Sequence, residues 1–320
     1  MTNRRDFLKN ASFLTLGGLF AGTAGVSCTQ LFPAKKRIGL QIYSLTVGGS
    51  TEFTSDIAGG LKRVAQMGYT TLELAGYNTN GNIGAVSMAD FKKMADDASL
   101  EIVSSHLSPP VRGPYSPENK DEILDFWKKA TDQHAAIGVK LIIQPSQPST
   151  RNIEEVAYVS EIFNEAGKVA KAGGLSFGYH NHAGEFQRVS SATPPPETET
   201  PAGERPRRGP RGEIIYDLMM KNTDPSLVFF ELDVYWCVMG QQDPVEYMRN
   251  YADRISVLHI KDKAVLGQSG MMNFEMIYKQ AYINEVKEFI VEIESVPGDM
   301  TQFEGAKGCA DYLLNASFVK

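Results

Sequence analysis

Cysteine is scarce in this chain, and its scarcity excludes a fold that disulfides hold together. Only Cys28, Cys237 and Cys309 occur among 320 residues. Two cysteines can form one bond but no disulfide framework, so we expect Cys237 and Cys309 to be buried free thiols. The fold must therefore rest on a hydrophobic core, for which a hydrophobic fraction of 42% is ordinary.

An excess of positive charge is lacking as well. The formal net charge is −6, and because Arg4, Arg5 and Lys9 outweigh Asp6 at the N-terminus, the residues after position 28 carry about −8. Affinity for nucleic acids comes mainly from cationic contacts with phosphates. The charge therefore predicts no nucleic-acid partner and argues against an endonuclease.

The N-terminus has no apolar run long enough for a stable transmembrane helix. A charged stretch precedes an apolar segment at 11–26 that is short and rich in glycine and alanine. The pair Arg4-Arg5, followed by Phe-Leu-Lys, resembles a twin-arginine export signal, with an ordinary secretory signal as the alternative. We predict an export signal at 1–28 and a periplasmic location. Cys28 ends a Gly-Val-Ser-Cys sequence that resembles a lipoprotein cleavage site with glycine in place of leucine, so lipid anchoring at Cys28 and plain cleavage both remain open.

Short apolar runs alternate with helical patterns throughout 36–320. The runs predict strands at 37–42, 70–75, 101–106, 140–144, 175–182, 227–233, 255–261 and 288–294. Helical periodicity lies between them at 57–67, 88–98, 118–137, 153–172, 244–251 and 274–280. Eight apolar strands that alternate with helices predict an α/β fold, a single (β/α)8 TIM-barrel domain. A doubly wound open sheet is the alternative, but no glycine-rich phosphate loop follows the first strand.

One segment, 190–212, interrupts this pattern. It holds three consecutive prolines, four arginines and almost no apolar residues, so we expect a disordered insertion rather than a domain. It follows strand five, on the face where barrels of this class carry their active sites. A lid, a docking loop and an inert loop all remain open.

Polar residues gather where the predicted strands end, and four of the five histidines are among them. Catalytic groups in TIM barrels come from these strand ends. Imidazoles and carboxylates together suit one divalent metal ion such as Mn, Zn, Co or Fe, and such an ion makes the C–H next to a carbonyl acidic. The candidates are Tyr43, Glu73, His106, His180, His182, Glu185, Glu231, Asp233, Trp236, His259, Lys261, Glu292 and Glu294.

Several short motifs carry a family resemblance. Tyr-His-Asn-His at 179–182, Leu-Asp-Val-Tyr-Trp at 232–236 and Leu-His-Ile-Lys-Asp at 258–262, together with Glu73, His106 and Val-Glu at 291–292, resemble the sugar phosphate isomerase/epimerase group. That group has a xylose-isomerase-like barrel and includes ketose epimerases and inosose dehydratases. The resemblance covers 37–320 apart from the insertion, and it implies that Asp233, His259 and Glu292 are metal ligands.

Strand five departs from the pattern of the epimerases. Their fourth ligand is commonly a glutamate, whereas the matching residue here is His180, with His182 close behind as either a ligand or a substrate contact. A mechanism with two carboxylates then lacks one of them. Glu185 is our candidate for the missing base beside Glu292; otherwise the reaction uses a single base.

The remaining candidates receive roles at the substrate. The resemblance implies that Lys261 steadies an enediolate oxygen or donates a proton. Glu73 and His106 would bind substrate hydroxyls, and Trp236 and Tyr43 would stack on the sugar ring. We interpret Glu231 as a carboxylate behind Asp233, prefer Glu292 to Glu294 as the ligand, and expect His134 and Trp127 to be packing residues.

Three functions follow from this pattern. The first is a metal-dependent isomerase or epimerase that acts on a free sugar or keto-sugar through an enediolate. The second is a metal-dependent lyase or hydratase (dehydratase) acting on oxidised sugars, and the third is a carbohydrate-binding barrel without activity. All three imply a small-molecule carbohydrate as partner, and the sequence leaves the oligomeric state open.

Overall fold

Eight parallel strands close into a barrel in the computed structural model of the chain, which describes residues 36–193 and 212–320. Each strand pairs with its neighbours in chain order, and the ring closes where Gly39 of β1 lies beside Ile290 of β8. The predicted (β/α)8 barrel is therefore confirmed. The strands are β1 Gly39–Gln41, β2 Thr71–Leu74, β3 Glu101–His106, β4 Leu141–Gln144, β5 Ser176–His180, β6 Val228–Asp233, β7 Ile255–Ile260 and β8 Glu288–Val291.

Helices cover the outside of the barrel between successive strands. They are α1 Ile57–Gln66, α2 Met88–Asp97, α3 Lys120–Ala136, α4 Ile153–Ala172, α5 Ile215–Asn222, α6 Pro244–Asn250, α7 Phe274–Ile283 and α8 Gln302–Asn315. Short helices at Glu52–Ser55 and Val234–Met239 and a three-stranded antiparallel sheet within 77–87 decorate the connections. The six predicted helices are present, whereas α5 and α8 were missed. Glycines inside α8 weaken its helical pattern, and a capping box of Thr301 and Glu304 starts it instead.

Seven of the eight predicted strands were longer than the observed ones, and for two of them the difference moves site residues. Strand eight ends at Val291 and strand five at His180, so Glu292, Glu294 and His182 lie on the loops that follow. Ile293 is fully buried, so the apolar alternation of the sequence continues beyond the last strand pairing. This extension places the two glutamates at the rim of the barrel instead of inside the strand.

The interior of the barrel changes from apolar to charged along its axis. Val103, Val257 and Ile290 pack against one another inside the ring. Gly39 makes room for this layer, because a Cβ at that position would lie 2.4 Å from Ile290 Cδ1. Residues two apart share a face of a strand, so His259 follows Val257 on the inward side. The apolar layer thus closes the barrel beneath the polar strand ends.

The core between the barrel and the helices consists of buried apolar and aromatic side chains. Trp127 of α3 is fully buried with its ring centroid 4.8 Å from that of Phe177, as expected for a packing residue. Cys237 and Cys309 are buried free thiols, which confirms that prediction.

The insertion leaves the barrel on a two-stranded antiparallel stem. Arg188–Val189 pairs with Glu213–Ile214 between β5 and α5. Residues 194–211 of the predicted insertion, the predicted export signal at 1–28 and the proposed anchor Cys28 all lie outside the described residues. Within 36–193 and 212–320, no helix has the length and apolar character needed to cross a bilayer.

Candidate active site

A cavity of about 420 Å³ opens at the carboxyl ends of the barrel strands. Six of the candidate site residues line it directly, and the others do not. The lining residues are Tyr43, Ala75, Gly76, Tyr77, His106, Leu107, Ser108, Pro145, His180, His182, Glu292 and Glu294. A larger depression of about 730 Å³ lies at the opposite end of the strands, around Leu100 and Leu141, and none of the predicted site residues line it. We therefore place the chemistry in the smaller cavity.

Two histidines of the site are each held by one ring nitrogen. His180 Nδ1 lies 3.1 Å from Glu231 Oε2, and His259 Nε2 lies 2.7 Å from Glu73 Oε1. The other nitrogen of His259, Nδ1, is buried 3.4 Å from Glu292 Oε2 and makes no hydrogen bond with the described residues. Each imidazole is thus fixed in orientation by a carboxylate.

Each of the two candidate carboxylate ligands is likewise held by one of its oxygen atoms. Asp233 Oδ1 accepts a hydrogen bond of 2.8 Å from Trp236 N, which caps the helix Val234–Met239, while Oδ2 is buried without a partner among the described residues. Glu292 Oε2 accepts a hydrogen bond of 2.9 Å from Lys261 Nζ. Buried polar atoms normally have partners, so an unpartnered carboxylate oxygen calls for one.

These four residues form one cluster. One ligand atom each from His180, Asp233, His259 and Glu292 lies within 4.8 Å of all the others. Every member has one atom tied to the protein, which leaves a second donor atom on each. We call this cluster the rim set. Two imidazoles and two carboxylates at this spacing are a donor set that fits a divalent cation.

A second polar layer lies beneath the rim set. His106 Nε2 lies 2.7 Å from Glu231 Oε2 and 3.0 Å from Glu73 Oε1, so the two glutamates share it. Gln41 Nε2 donates a hydrogen bond of 2.8 Å to Glu73 Oε1. His106, His180, Glu231 and His259 also bring ligand atoms within 4.8 Å of one another. In that set, however, Glu231 Oε2 already lies between three imidazoles.

Charge in the site is unbalanced toward the negative. Burial disfavours the imidazolium of His106, yet the charges of Glu73 and Glu231 outweigh it and raise the pKa of His106 to about 9. The same opposition, with Glu231 and Glu73 prevailing over burial, raises the pKa of His259 well above its usual range. Burial raises the pKa of Asp233 to about 7. The cluster therefore favours added positive charge, as a cation site would.

The remaining groups of the site have distinct electrostatic surroundings. Burial, reinforced by the neighbouring histidines, lowers the pKa of His180 well below its usual range, so this imidazole is neutral. For Glu292, burial would raise the pKa, but the neighbouring His259 and the charge of Lys261 hold it below the usual range. Glu292 is therefore ionised at neutral pH.

Lys261 lies behind the cavity and not in its lining. Its ammonium is buried and contacts Glu292 Oε2 at 2.9 Å and Glu294 Oε1 at 2.7 Å. Nζ also lies 5.4 Å from the centroid of the Trp236 ring. Lys261 thus joins the two carboxylates of the cavity. The Tyr43 ring, by contrast, is 47% exposed at the cavity mouth, where it is available to stack on a ligand.

Glu185 does not lie where the sequence suggested. The short 3₁₀ turn Gly184–Phe186 directs its side chain into the protein, where Oε1 accepts a hydrogen bond from the Tyr179 hydroxyl and Oε2 one of 3.1 Å from His182 N. Both oxygens are thereby occupied, and the residue does not line the cavity. This position contradicts its assignment as a base that reaches the substrate and instead makes Glu185 a support for His182.

Glu73 also differs from expectation. It is fully buried, and among the described residues Oε1 contacts Gln41, His106 and His259, because β2 directs this side chain inward below the rim. A direct contact with substrate hydroxyls does not fit this position. His106 does line the cavity, and so does His182, whose ring centroid is 5.0 Å from that of His180. His182 is absent from the sets of clustered ligand atoms, so the geometry favours His180 as the strand-five member.

Sequence reasoning missed several polar residues of the site. Asn181 Oδ1 accepts a hydrogen bond of 3.1 Å from Asp233 N and so fixes the end of β6, and Gln41 holds Glu73. A polar residue inside an otherwise apolar strand is a signal that points to both of them. Tyr77 lines the cavity from a two-residue strand of the small antiparallel sheet, which is too short to show a periodic pattern.

Comparison with known proteins agrees with this architecture. Residues 61–298 match the family described as Xylose isomerase-like TIM barrel. Two crystal structures of sugar phosphate isomerase/epimerase proteins from Parabacteroides distasonis are similar: one is 51% identical with a TM-score of 0.81 over 89% of this chain and 100% of that chain. The other is 47% identical with a TM-score of 0.83 over 91% and 99%. An inosose dehydratase from Clostridium beijerinckii is 23% identical over 79% of this chain and 90% of its own length.

The chain belongs to the xylose isomerase-like TIM barrel family. Its relatives indicate that it is an enzyme, of a kind that includes sugar isomerases and epimerases and also allows a lyase.

Proposed function

We propose that this protein is a metal-dependent isomerase or epimerase that acts on a free sugar or keto-sugar through an enediolate. One observation carries the proposal: each member of the rim set is anchored by one atom while the set borders a single cavity. A divalent ion held by these residues would act as a Lewis acid that polarises a carbonyl group and acidifies the neighbouring C–H. Mn, Zn, Co and Fe(II) all suit such donors.

Glu292 is the proposed proton acceptor. It lines the cavity, and Lys261 together with His259 keeps its carboxylate ionised. When Glu292 takes the proton from the carbon next to the carbonyl, the electrons of that C–H bond form the double bond of the enediolate. Return of the proton to the adjacent carbon, with passage of the hydroxyl proton from the first oxygen to the second, completes an isomerisation. Lys261 holds Glu292 in place throughout through its bond of 2.9 Å.

Epimerisation requires a second group that delivers a proton to the opposite face. The buried contacts of Glu185 speak against it in this role, whereas the His182 ring lines the cavity. We therefore assign His182 as the second proton carrier if the reaction is an epimerisation. Tyr43 at the cavity mouth and His106 in its wall would bind the sugar.

A lyase or hydratase acting on an oxidised sugar is the second candidate. The similarity to an inosose dehydratase supports it, and so does His180 at the position where epimerases commonly have a glutamate. The first step is the same proton abstraction by Glu292. The hydroxyl on the next carbon then leaves as water after it takes a proton from an imidazole of the cavity wall. The complete rim set speaks against a barrel that only binds carbohydrate.

The test is incubation of metal-reconstituted protein with a panel of keto-sugars in D₂O, followed by NMR. Deuterium at one carbon with all atoms retained supports the isomerase or epimerase, and loss or gain of water supports the lyase. An absence of exchange across a broad panel, with metal bound, would overturn both. Asp233→Ala serves as the matched control, because it removes a ligand from the rim set and should exchange nothing.

We also propose that the protein acts outside the cytoplasm, supported by the Arg4-Arg5 pair and the apolar segment that follows. Replacing both arginines by lysine should leave the protein in the cytoplasm on cell fractionation. Cys28→Ala should release a membrane-bound fraction if Cys28 carries a lipid. Normal export of the double-lysine variant would contradict the twin-arginine assignment.

A further inference from the structure

We propose that Glu231 and Glu73 select opposite ring nitrogens of the two histidine ligands, so that His180 binds metal through Nε2 and His259 through Nδ1. This inference rests on the metal site of the proposed function. It makes Glu73 and Glu231 positioning residues of that site, neither ligands nor substrate contacts. The experiments below separate its failure from failure of the metal site itself.

The choice of nitrogen at His180 follows from one contact. Its Nδ1 lies 3.1 Å from Glu231 Oε2. A carboxylate only accepts hydrogen bonds, so the proton of the neutral imidazole must be on Nδ1, and Nε2 carries the lone pair. His180 lines the cavity, where this lone pair is available to a cation.

His259 has the opposite arrangement. Its Nε2 lies 2.7 Å from Glu73 Oε1 and 3.4 Å from Glu231 Oε2, whereas Nδ1 lies on the side of Glu292 without a hydrogen bond to the described residues. In the neutral ring that metal binding requires, the carboxylates beneath it hold the proton on Nε2. The lone pair is then on Nδ1, on the side of Glu292.

Neither orienting carboxylate is free to turn away. Glu73 and Glu231 are fully buried, so water does not compete for them. Gln41 Nε2 holds Glu73 at 2.8 Å, and Gln41 Oε1 in turn accepts a hydrogen bond of 3.1 Å from Tyr43 N. His106 Nε2 holds Glu231 at 2.7 Å.

This arrangement also bears on the choice between the two sets of clustered ligand atoms. In the lower set, with His106 and Glu231, three imidazoles already engage Glu231 Oε2, and of this carboxylate only Oε1 lacks a partner among the described residues. Because the two sets share His180 and His259, we infer that the ion occupies the rim set and that the lower set supports it. We expect one ion per chain.

Histidine tautomers in the zinc-loaded wild-type protein provide the most direct test. Nitrogen-15 NMR of protein labelled at histidine should show one metal-bound imidazole protonated at Nδ1 and one protonated at Nε2, assigned with His180→Gln and His259→Gln. Coordination of both rings through the same nitrogen type would overturn the inference. If wild-type protein binds no zinc, the proposed metal site itself fails.

Affinity provides a second test. Glu231→Gln and Glu73→Gln should each weaken Co²⁺ binding about 10–100-fold and change the visible spectrum of the bound ion, because the imidazoles lose their orienting charge. The matched control is Asp262→Asn, a buried carboxylate just after β7 that accepts hydrogen bonds from Lys263 N and Gly267 N and, within 36–193 and 212–320, pairs with no histidine. The control should keep the wild-type affinity and spectrum. Wild-type affinity in both glutamine variants would contradict the inference while leaving the metal site intact.

Discussion

Two buried histidine environments of this barrel differ in how fully the protein satisfies the ring. His134 packs between α3 and the barrel, where Nδ1 lies 2.7 Å from Ala130 O and Nε2 lies 3.0 Å from Ser105 Oγ. His259 at the rim is equally buried, but only its Nε2 is hydrogen-bonded within the described residues. Both residues are buried histidines, so the difference between them is the ring nitrogen of His259 that has no hydrogen bond within the described residues.

The pKa values of the two histidines also distinguish the two environments. Burial lowers the pKa of His134 to about 4, and no acidic group offsets it. At the rim, Glu231 and Glu73 outweigh burial and raise the pKa of His259 well above its usual range. A histidine with both nitrogens satisfied and no countercharge is a packing residue, whereas one with a free nitrogen among carboxylates is suited to hold a cation.

Removal of a rim ligand should have the largest effect. Asp233→Ala or His259→Ala should lower metal affinity more than about 100-fold, since even loss of a ligand's hydrogen-bonding partner costs 10–100-fold. Turnover should be abolished. Metal content by plasma mass spectrometry and steady-state assays measure both quantities. His134→Gln, the matched histidine variant, should retain both, and full activity of either rim variant would mean that the proposed site is wrong.

The next largest effect should be a difference in kcat between variants of the two glutamates that the sequence suggested as bases. Glu292→Gln should lower kcat by about 10²–10⁴-fold, the usual contribution of general base catalysis. Glu185→Gln should cost less, because Glu185 acts only through the position of His182. The comparison is made at saturating metal and substrate. An equal or larger loss of kcat in a folded Glu185→Gln protein would restore Glu185 as the base.

At His134 we expect a substitution to lower stability and to leave metal binding unchanged. His134→Gln disturbs two buried hydrogen bonds and should lower the free energy of unfolding by about 1–3 kcal/mol. Urea unfolding measures this loss, and calorimetric titration should show unchanged Co²⁺ affinity. A variant with intact stability but weakened metal binding would reverse the comparison between the two histidine environments.

The smallest predicted effect is a pH dependence of stability that belongs to His134. Its pKa is about 4 in the folded protein and about 6.5 in an unfolded chain, so the unfolded state binds the extra proton between these values. The stabilisation is complete well above pH 6.5 and is lost as the pH falls toward 4, by about 1.4 kcal/mol at pH 5.5. The difference in unfolding free energy between wild type and His134→Gln should therefore shrink over this range. A constant difference would show that His134 does not titrate as described.

The fold and the membership of the site were largely predictable from sequence. The limits of β3 match the prediction, and all eight strands lie where apolar runs indicated them. The rim set was predictable because a strand presents its last residues at one edge of the barrel, so Asp233 and His259 were expected to meet. Register confirms that these two residues are neighbours across β6 and β7.

The direction in which each side chain points was not predictable, because it depends on the loops and on the tilt of the strands. Glu185 turns inward on a 3₁₀ turn that no periodic pattern signals, and the depth of Glu73 depends on the stagger between strands. The nitrogen that each histidine presents depends on partners such as Glu231 that are distant in sequence. Such contacts exist only once the ring has closed.

The central claim is that the anchored rim set holds one divalent ion on which turnover depends. The most direct measurement is activity and metal stoichiometry before chelation, after exhaustive chelation, and after stepwise return of Mn²⁺ or Co²⁺. We predict that chelation abolishes turnover and that activity returns in proportion to bound metal, with saturation at one ion per chain. Full turnover by folded, metal-free protein would contradict the claim.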